Sequence, residues 1–200
     1  MPERPHAITG QPRRVGGLRA PDAAWDEGPA ARRAARGRRV ARDLVELSRL
    51  QRGDERAQSV PVDLANLLRA ICADYPELLL EGPQPLPFNT DSRRLARALS
   101  ALLDNACLHG APPITVRYDA AEIVVEDCGP GLAPALLQRA TEPFVTGDRT
   151  RGRGVGLGLA IAARQAAVLG AELRLSNAPC GGTIAQLRFD AAATASAVGA

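Results

Sequence analysis

Residues 102–131 read LLDNACLHGAPPITVRYDAAEIVVEDCGPG, and three kinds of local order follow one another within them. The first residues end an apolar stripe in which Leu95, Leu99, Leu102 and Ala106 recur at four- and three-residue steps, placing them on the buried side of a long helix that runs to about His109. Asp91 stands ahead of that stripe as a candidate N-cap, because its side-chain oxygens can accept from the orphan amides of a first turn. Ile114–Tyr118 and Glu122–Glu126 are short β-rich runs parted by a few residues, which predicts a hairpin. Gly129-Pro-Gly131 then breaks the second strand, leaving Asp127 at its end.

Outward from this stretch the same alternation continues. Pro61-Val-Asp63 is expected to open an earlier helix, with Leu64, Leu67, Leu68 and Ile71 as its stripe. Glu77–Glu81 reads as a strand before a Pro-rich stretch. Beyond Gly131 the sequence is irregular to Gly154. A helix then starts near Leu157 and ends at Gly170, read as a C′ glycine from its position after the last apolar residue. Glu172–Ser176 and Thr183–Phe189 make a last pair of strands. Residues 60–190 therefore read as one α+β domain: a two-layer α/β sandwich, its mixed, mostly antiparallel sheet covered on one face by helices. A helical segment over 30–53 precedes it, with Val40, Leu44, Leu47 and Leu50 on one face and Gly53-Asp54 as the stop. Residues 1–29 lack periodicity and 191–200 are Ala-rich without pattern; both are expected to be disordered.

Composition narrows the function classes. Apolar residues make up 46% and aromatics 3%, so aliphatic side chains and Ala must fill the core. All 25 basic side chains are Arg, so any cationic contact to phosphate must be a guanidinium. A net charge of +3 is too small to argue for nucleic acid. The crowding of Arg32, Arg33, Arg36, Arg38, Arg39 and Arg42 is read as a solvated helix face before it is read as an anion-binding one. The four cysteines, Cys72, Cys107, Cys128 and Cys180, form no CxxC pair, which argues against zinc and for reduced, mostly buried thiols. No apolar run approaches the ~20 residues that span a bilayer, and the polar, Pro-containing start does not resemble a signal peptide. A soluble, cytoplasmic protein is expected.

Four short blocks carry the chemistry: Leu102–Gly110, Asp127–Gly131, Glu142-Pro-Phe-Val145 and Gly154-Val-Gly-Leu-Gly-Leu-Ala160, with Gly181-Gly-Thr183 after them. Asn105 offers a neutral carbonyl oxygen to a hard cation such as Mg²⁺, which needs few protein ligands when phosphates supply the rest. Asp127 can accept a hydrogen bond from an exocyclic amine such as that of adenine. Gly129 and Gly131 allow close backbone approach to a planar base. Gly154, Gly156 and Gly158 lead into a helix N-terminus, where free N–H groups and the helix dipole favour phosphate. Arg149, Arg151 and Arg153 stand just before it, and Phe144 can anchor the start of this segment by packing. Taken singly, each has an ordinary structural reading: a tight turn for the glycines, a loop cap for Asp127, a solvated helix residue for Asn105. The block Gly154–Gly158 is no dinucleotide fingerprint either, since the preceding strand and the later acidic residue are absent.

As an ordered set, these blocks resemble the N, G1, F and G2 boxes of the histidine-kinase-like ATPase superfamily, and Glu142-Pro-Phe followed by an Arg-rich segment and Gly156-Leu-Gly-Leu-Ala-Ile resembles sensor histidine kinases in particular. Asp43-Leu-Val-Glu-Leu-Ser-Arg-Leu50 is similar to the end of their second dimerisation helix. The resemblance implies ATP and Mg²⁺ as cofactors, with Asn105 as the metal ligand, Asp127 as the adenine-reading carboxylate and His109 near the nucleotide. It also implies that Gly129, Gly131, Gly154, Gly156, Leu157 and Gly158 shape the base and phosphate sites, that Thr183 contacts the base through water, and that residues 146–153 form a lid.

The sequence departs from the family in three places. Of its two histidines, His6 has no acidic neighbour and His109 belongs to the N box, so no phospho-acceptor box is present. Ala101 stands where the family usually has Asn, and Leu108 where Lys or Arg is common; three- and four-residue spacing puts both on the face of Asn105. The leading expectation is a two-component kinase domain that transfers the ATP γ-phosphate to a His on a partner chain, from which a response regulator receives it. The alternative is a non-catalytic orphan ATP-binding module or truncated remnant. A serine kinase of the anti-sigma type is disfavoured by Ala101, where that group carries its catalytic Glu.

Overall fold

The computed structural model of the chain describes residues 40–50, 56–75, 78–147, 155–179 and 181–189. The first described element is α1, residues 40–50; the rest of the 30–53 segment, residues 1–29 and residues 191–200 lie outside the described residues. Five strands form one sheet: β2 (Leu78–Glu81), β4 (Ile114–Tyr118), β5 (Glu122–Glu126), β7 (Thr183–Phe189) and β6 (Ala171–Asn177), in that spatial order. The β2–β4 pair is parallel and the other pairs are antiparallel. Strands β1 (Val60–Asp63) and β3 (Pro87–Thr90) pair separately as an antiparallel ribbon.

Helices α2 (Leu64–Cys72), α3 (Ser92–His109) and α5 (Gly158–Val168) bury their apolar residues against one face of the sheet. A single-turn helix, α4 (Pro134–Leu137), lies in the segment between β5 and α5. The alternation of β4, β5 and β7 explains the layering. Val116, Ile123, Val125 and Leu187 point into the core with Leu95, Leu99, Leu102 and Leu103 of α3. Their neighbours in sequence point the other way and carry cross-strand ion pairs, Arg117 with Glu126 and Arg188 with Glu122. Helices thus cover one face and paired charges the opposite one.

Capping follows the sequence closely. Asp91 accepts from the amides of Arg93 and Arg94 at the start of α3, and Gly170 takes φ 71° after α5. The start of α2 differs from expectation. Residues 60–63 are a strand, and the helix begins only at Leu64, with Asp63 accepting from the Ala65 amide. Pro61 is tolerated because the ribbon has only two strands, so one side of β1 needs no donors. The Pro-rich stretch hides β3 for a similar reason: Pro87 occupies its first position, while Phe88 is buried edge-on against Phe189, ring centroids 5.0 Å apart.

One further expectation is corrected. Of the described cysteines only Cys72 is buried, whereas Cys107 and Cys128 are exposed. In α1, Leu47 and Leu50 are buried but Leu44 is exposed, so the apolar stripe is only partly covered by described residues.

Candidate functional site

A cavity of about 480 Å³ opens between the C-terminal half of α3, the loop after β5, α4 and the start of α5. Helix α3 contributes Asn105, Leu108 and His109, and Gly110 continues the wall from its C-cap. The loop after β5 contributes Asp127, Pro130, Gly131, Leu132 and Ala133. Leu136 and Ala140, four residues apart, add an apolar side. Val145, Thr146, Gly147, Gly156 and Leu159 complete it together with Thr183 of β7.

Asp127 is only 3% exposed. Its amide donates to the Thr183 carbonyl at 3.1 Å, which extends the β5–β7 pairing by one bond. Its Oδ1 accepts from the Gly129 amide at 2.7 Å, while Oδ2 accepts from no group among the described residues. The Asn105 side chain, partly buried, likewise has no hydrogen-bond partner among the described residues, and the residue lines the cavity.

Glycine at three positions is what lets these segments close around Asp127. A Cβ on Gly182 would lie 1.8 Å from the Asp127 carbonyl oxygen, and the residue has φ 92°. A Cβ on Gly110 would lie 2.5 Å from the Asp127 Cγ. A Cβ on Gly129 would lie 2.6 Å from the Gly110 Cα, so bareness at Gly129 serves the approach of two backbone segments.

Of the residues singled out in the sequence, Asn105, His109, Asp127, Gly131, Gly156 and Thr183 therefore meet at one cavity. Gly129, Phe144, Leu157 and Gly158 are outside its lining. Phe144 is 58% exposed and has φ 66°, an uncommon conformation for a side-chain-bearing residue; its amide donates to the Gly156 carbonyl at 2.8 Å. Leu157 is buried beneath Leu47 of α1, with Ala160 and Ile161. Gly158 opens α5 in ordinary contact with the Ala101 carbonyl, 3.7 Å from where its Cβ would be. Arg149, Arg151, Arg153 and Gly154, and most of the expected lid, lie outside the described residues.

Ala101 departs from the expected placement. It is buried in the core beside α5 and does not line the cavity, whereas Leu108, 41% exposed, does. Four residues along α3 rotate a side chain by about 40°, enough to turn Ala101 inward when α5 packs against it. The apolar wall of Leu132, Ala133, Leu136 and Ala140 had no assigned role in the sequence. Its signal was Leu136 and Ala140 at helical spacing behind Pro134, which occupies the first turn of α4.

The profile of the histidine kinase-, DNA gyrase B- and HSP90-like ATPase family matches residues 90–193. The sensor protein CseC of Streptomyces coelicolor is 38% identical over 162 residues, covering 80% of this chain and 32% of that protein. Full-length ShkA, solved in complex with AMPPNP, is similar with a TM-score of 0.68 and 26% identity over 80% of this chain and 37% of that one. The ATP binding domain of PrrB from Mycobacterium tuberculosis is similar with a TM-score of 0.51 and 29% identity, over 66% of this chain and 96% of that one. The chain belongs to the histidine kinase-like ATPase family and carries the ATP-binding domain of the sensor-kinase type. It spans about a third of the length of the CseC proteins it matches. Among the described residues, no helix is long and apolar enough to cross a membrane.

Proposed function

We propose that the chain binds Mg²⁺–ATP in this cavity and presents the γ-phosphate to a histidine on a partner chain. The observation that carries the reading is the Asp127 carboxylate, buried, held through one oxygen by Gly129, and with its other oxygen uncommitted beside a cavity of nucleotide size. Such an oxygen calls for a neutral N–H donor, and the exocyclic amine of adenine is one. Thr183 supports the base from the adjoining strand, and Gly131 and Leu132 flank it.

At the other end of the cavity, α5 begins at Gly158 behind Leu157, whose side chain makes no capping hydrogen bond. Its first N–H groups are therefore left for an anion, in a field the helix dipole makes favourable. Gly156 at φ 73° turns the chain into that helix. In this reading Arg149, Arg151, Arg153 and Gly154 add the lid's contacts to phosphate, and His109 flanks the nucleotide. Asn105 fits a Mg²⁺ site: its side-chain carbonyl oxygen is neutral and committed to no other described group, and the residue lines the cavity. When bound, the ion neutralises charge on the phosphates.

Transfer then needs little covalent help from this chain, because phosphoryl transfer rests on positioning and charge neutralisation. A neutral imidazole nitrogen attacks the γ-phosphorus. The N–P bond forms as the bond to the β–γ bridging oxygen breaks, and ADP leaves. The acceptor histidine comes from a kinase dimerisation helix of a partner, and a cytoplasmic response regulator takes the phosphoryl group afterwards.

Calorimetric titration with ATP and Mg²⁺, for the wild-type chain and Asp127→Asn, tests the reading. Binding in the micromolar to millimolar range is expected, weakened at least ~tenfold in the variant by loss of a charge-assisted hydrogen bond. Absence of wild-type binding sinks it. A second reading, a non-catalytic nucleotide-binding module, draws support from Leu108, which puts an uncharged side chain on the cavity wall. Phosphoryl transfer to a histidine-bearing dimerisation helix, present or absent when ATP is bound, separates the two.

A further inference from the structure

We infer that Asn177, which does not line the cavity, is the positioning residue that sets the base-binding wall and with it the preference of the site for adenine. The inference rests on the nucleotide reading above and concerns how selectively that site works. Asn177 ends β6, on the far side of the loop after β5. Its amide closes on the backbone of Leu132, 45 residues away, at two points. Oδ1 accepts from the Leu132 N–H at 2.8 Å, and Nδ2 donates to the Leu132 carbonyl, also at 2.8 Å. A primary amide presents a donor and an acceptor side by side, so it pairs with both groups of one extended residue as a neighbouring strand would.

The surrounding chain is shaped to admit this contact. Gly131 has φ 72°, and a Cβ there would stand 2.9 Å from Asn177 Oδ1 and 3.0 Å from the Gly182 carbonyl oxygen. The turn that carries Asn177 toward β7 is closed by bonds from Gly181 to the Ala178 carbonyl and from Ala178 to the Gly182 carbonyl, both 3.1 Å. Gly182 in turn lies against the Asp127 backbone. One short turn therefore touches both Asp127 and, through Asn177, the loop bearing Leu132 and Ala133.

Base choice depends on that connection. Adenine offers an amine to a carboxylate, whereas guanine places a carbonyl oxygen at the same ring position and meets repulsion. The carboxylate can distinguish them only if the wall holds the base at a fixed height against it. Without the clamp, residues 130–133 are tied to the rest of the fold mainly through their ends, and the base can tilt away from Asp127.

The test is displacement of a fluorescent ATP analogue by ATP and by GTP, on the wild-type chain, Asn177→Ala and Asn177→Asp, with thermal unfolding measured alongside. Asn177→Asp keeps the acceptor but turns a second oxygen toward the Leu132 carbonyl, so it is expected to behave like Asn177→Ala. Both variants should lose about tenfold of the ATP-over-GTP preference, with only the small drop in Tm that the loss of two exposed hydrogen bonds brings. A general loosening of the fold would instead lower Tm and leave the ratio unchanged. An unaltered ratio in variants that still bind ATP overturns the clamp. A wild-type chain that binds no ATP overturns the nucleotide reading and this inference with it, an outcome distinct from binding with an unaltered ratio.

Discussion

Three residues of the same type show how much a side chain's surroundings decide at the smallest scale. Cys72 sits in the core at the end of α2, and burial pushes its thiol up to about 11. Cys107 and Cys128 are exposed near the ends of α3 and β5. Since the thiolate is the reactive form, alkylation of the native chain at about pH 8 should label Cys107 and Cys128 and leave Cys72 unmodified until unfolding. Peptide mass spectrometry reads the three sites separately, and early labelling of Cys72 contradicts the burial. This division was not legible from the sequence, where all of them sit in apolar patterns. Asp127 was legible only through the order of the blocks around it, since alone it reads as a loop cap; the structure buries it at the cavity. Asn177 was not. Its partner lies 45 residues away, and nothing local distinguishes it from an ordinary strand-end residue. Ala101 was misplaced because helical spacing gives a face but not which neighbour that face meets.

Among elements, α3 was read almost to its bounds, since a stripe of Leu at regular steps and an Asp cap agree. Strands β1 and β3 were missed because proline argues against a strand unless the ribbon has a free side. The α3 cap gives a direct measurement. Asp91 is partly buried, which opposes its charge, but amides of Gln58, Arg94 and Arg93 bond to it and the Arg94 charge lies beside it. The net result holds its carboxyl below the ordinary 3.8. A lowered folded value contributes stability that is fully present above the ordinary pKa and is lost as pH falls through the folded one. Asp91→Ala should therefore cost about 1 kcal/mol at neutral pH. The gap between wild type and variant should narrow in acid titration below 3.8. A gap that stays constant into strong acid would show that the side chain acts through packing alone.

For the molecule as a whole, the joining of α1 to the domain is the feature most open to test. Arg97 of α3 bonds Glu46 at 2.6 Å and Asp43 at 2.8 Å. Gln165 of α5, 5% exposed, links Glu46 to Arg94. Charge-assisted bonds in a partly buried network exceed an exposed pair such as Arg139–Glu142. Arg97→Ala should cost about 1–3 kcal/mol by denaturant melting, while Arg139→Ala should leave the midpoint unchanged; equal effects would mean that α1 is not held by these charges. The sheet carries a different consequence. Its margin at β6 bears Glu172 and Arg174, but β2 ends the other side with Leu79, 53% exposed, on a strand of three leucines and a glutamate. Charged margins resist joining with another sheet and apolar ones invite it. Crowding two copies together should thus bring them into contact at β2 first, so light scattering should rise with concentration, and the colloidal lifetime of a concentrated preparation is set at β2, on the opposite side of the sheet from β6.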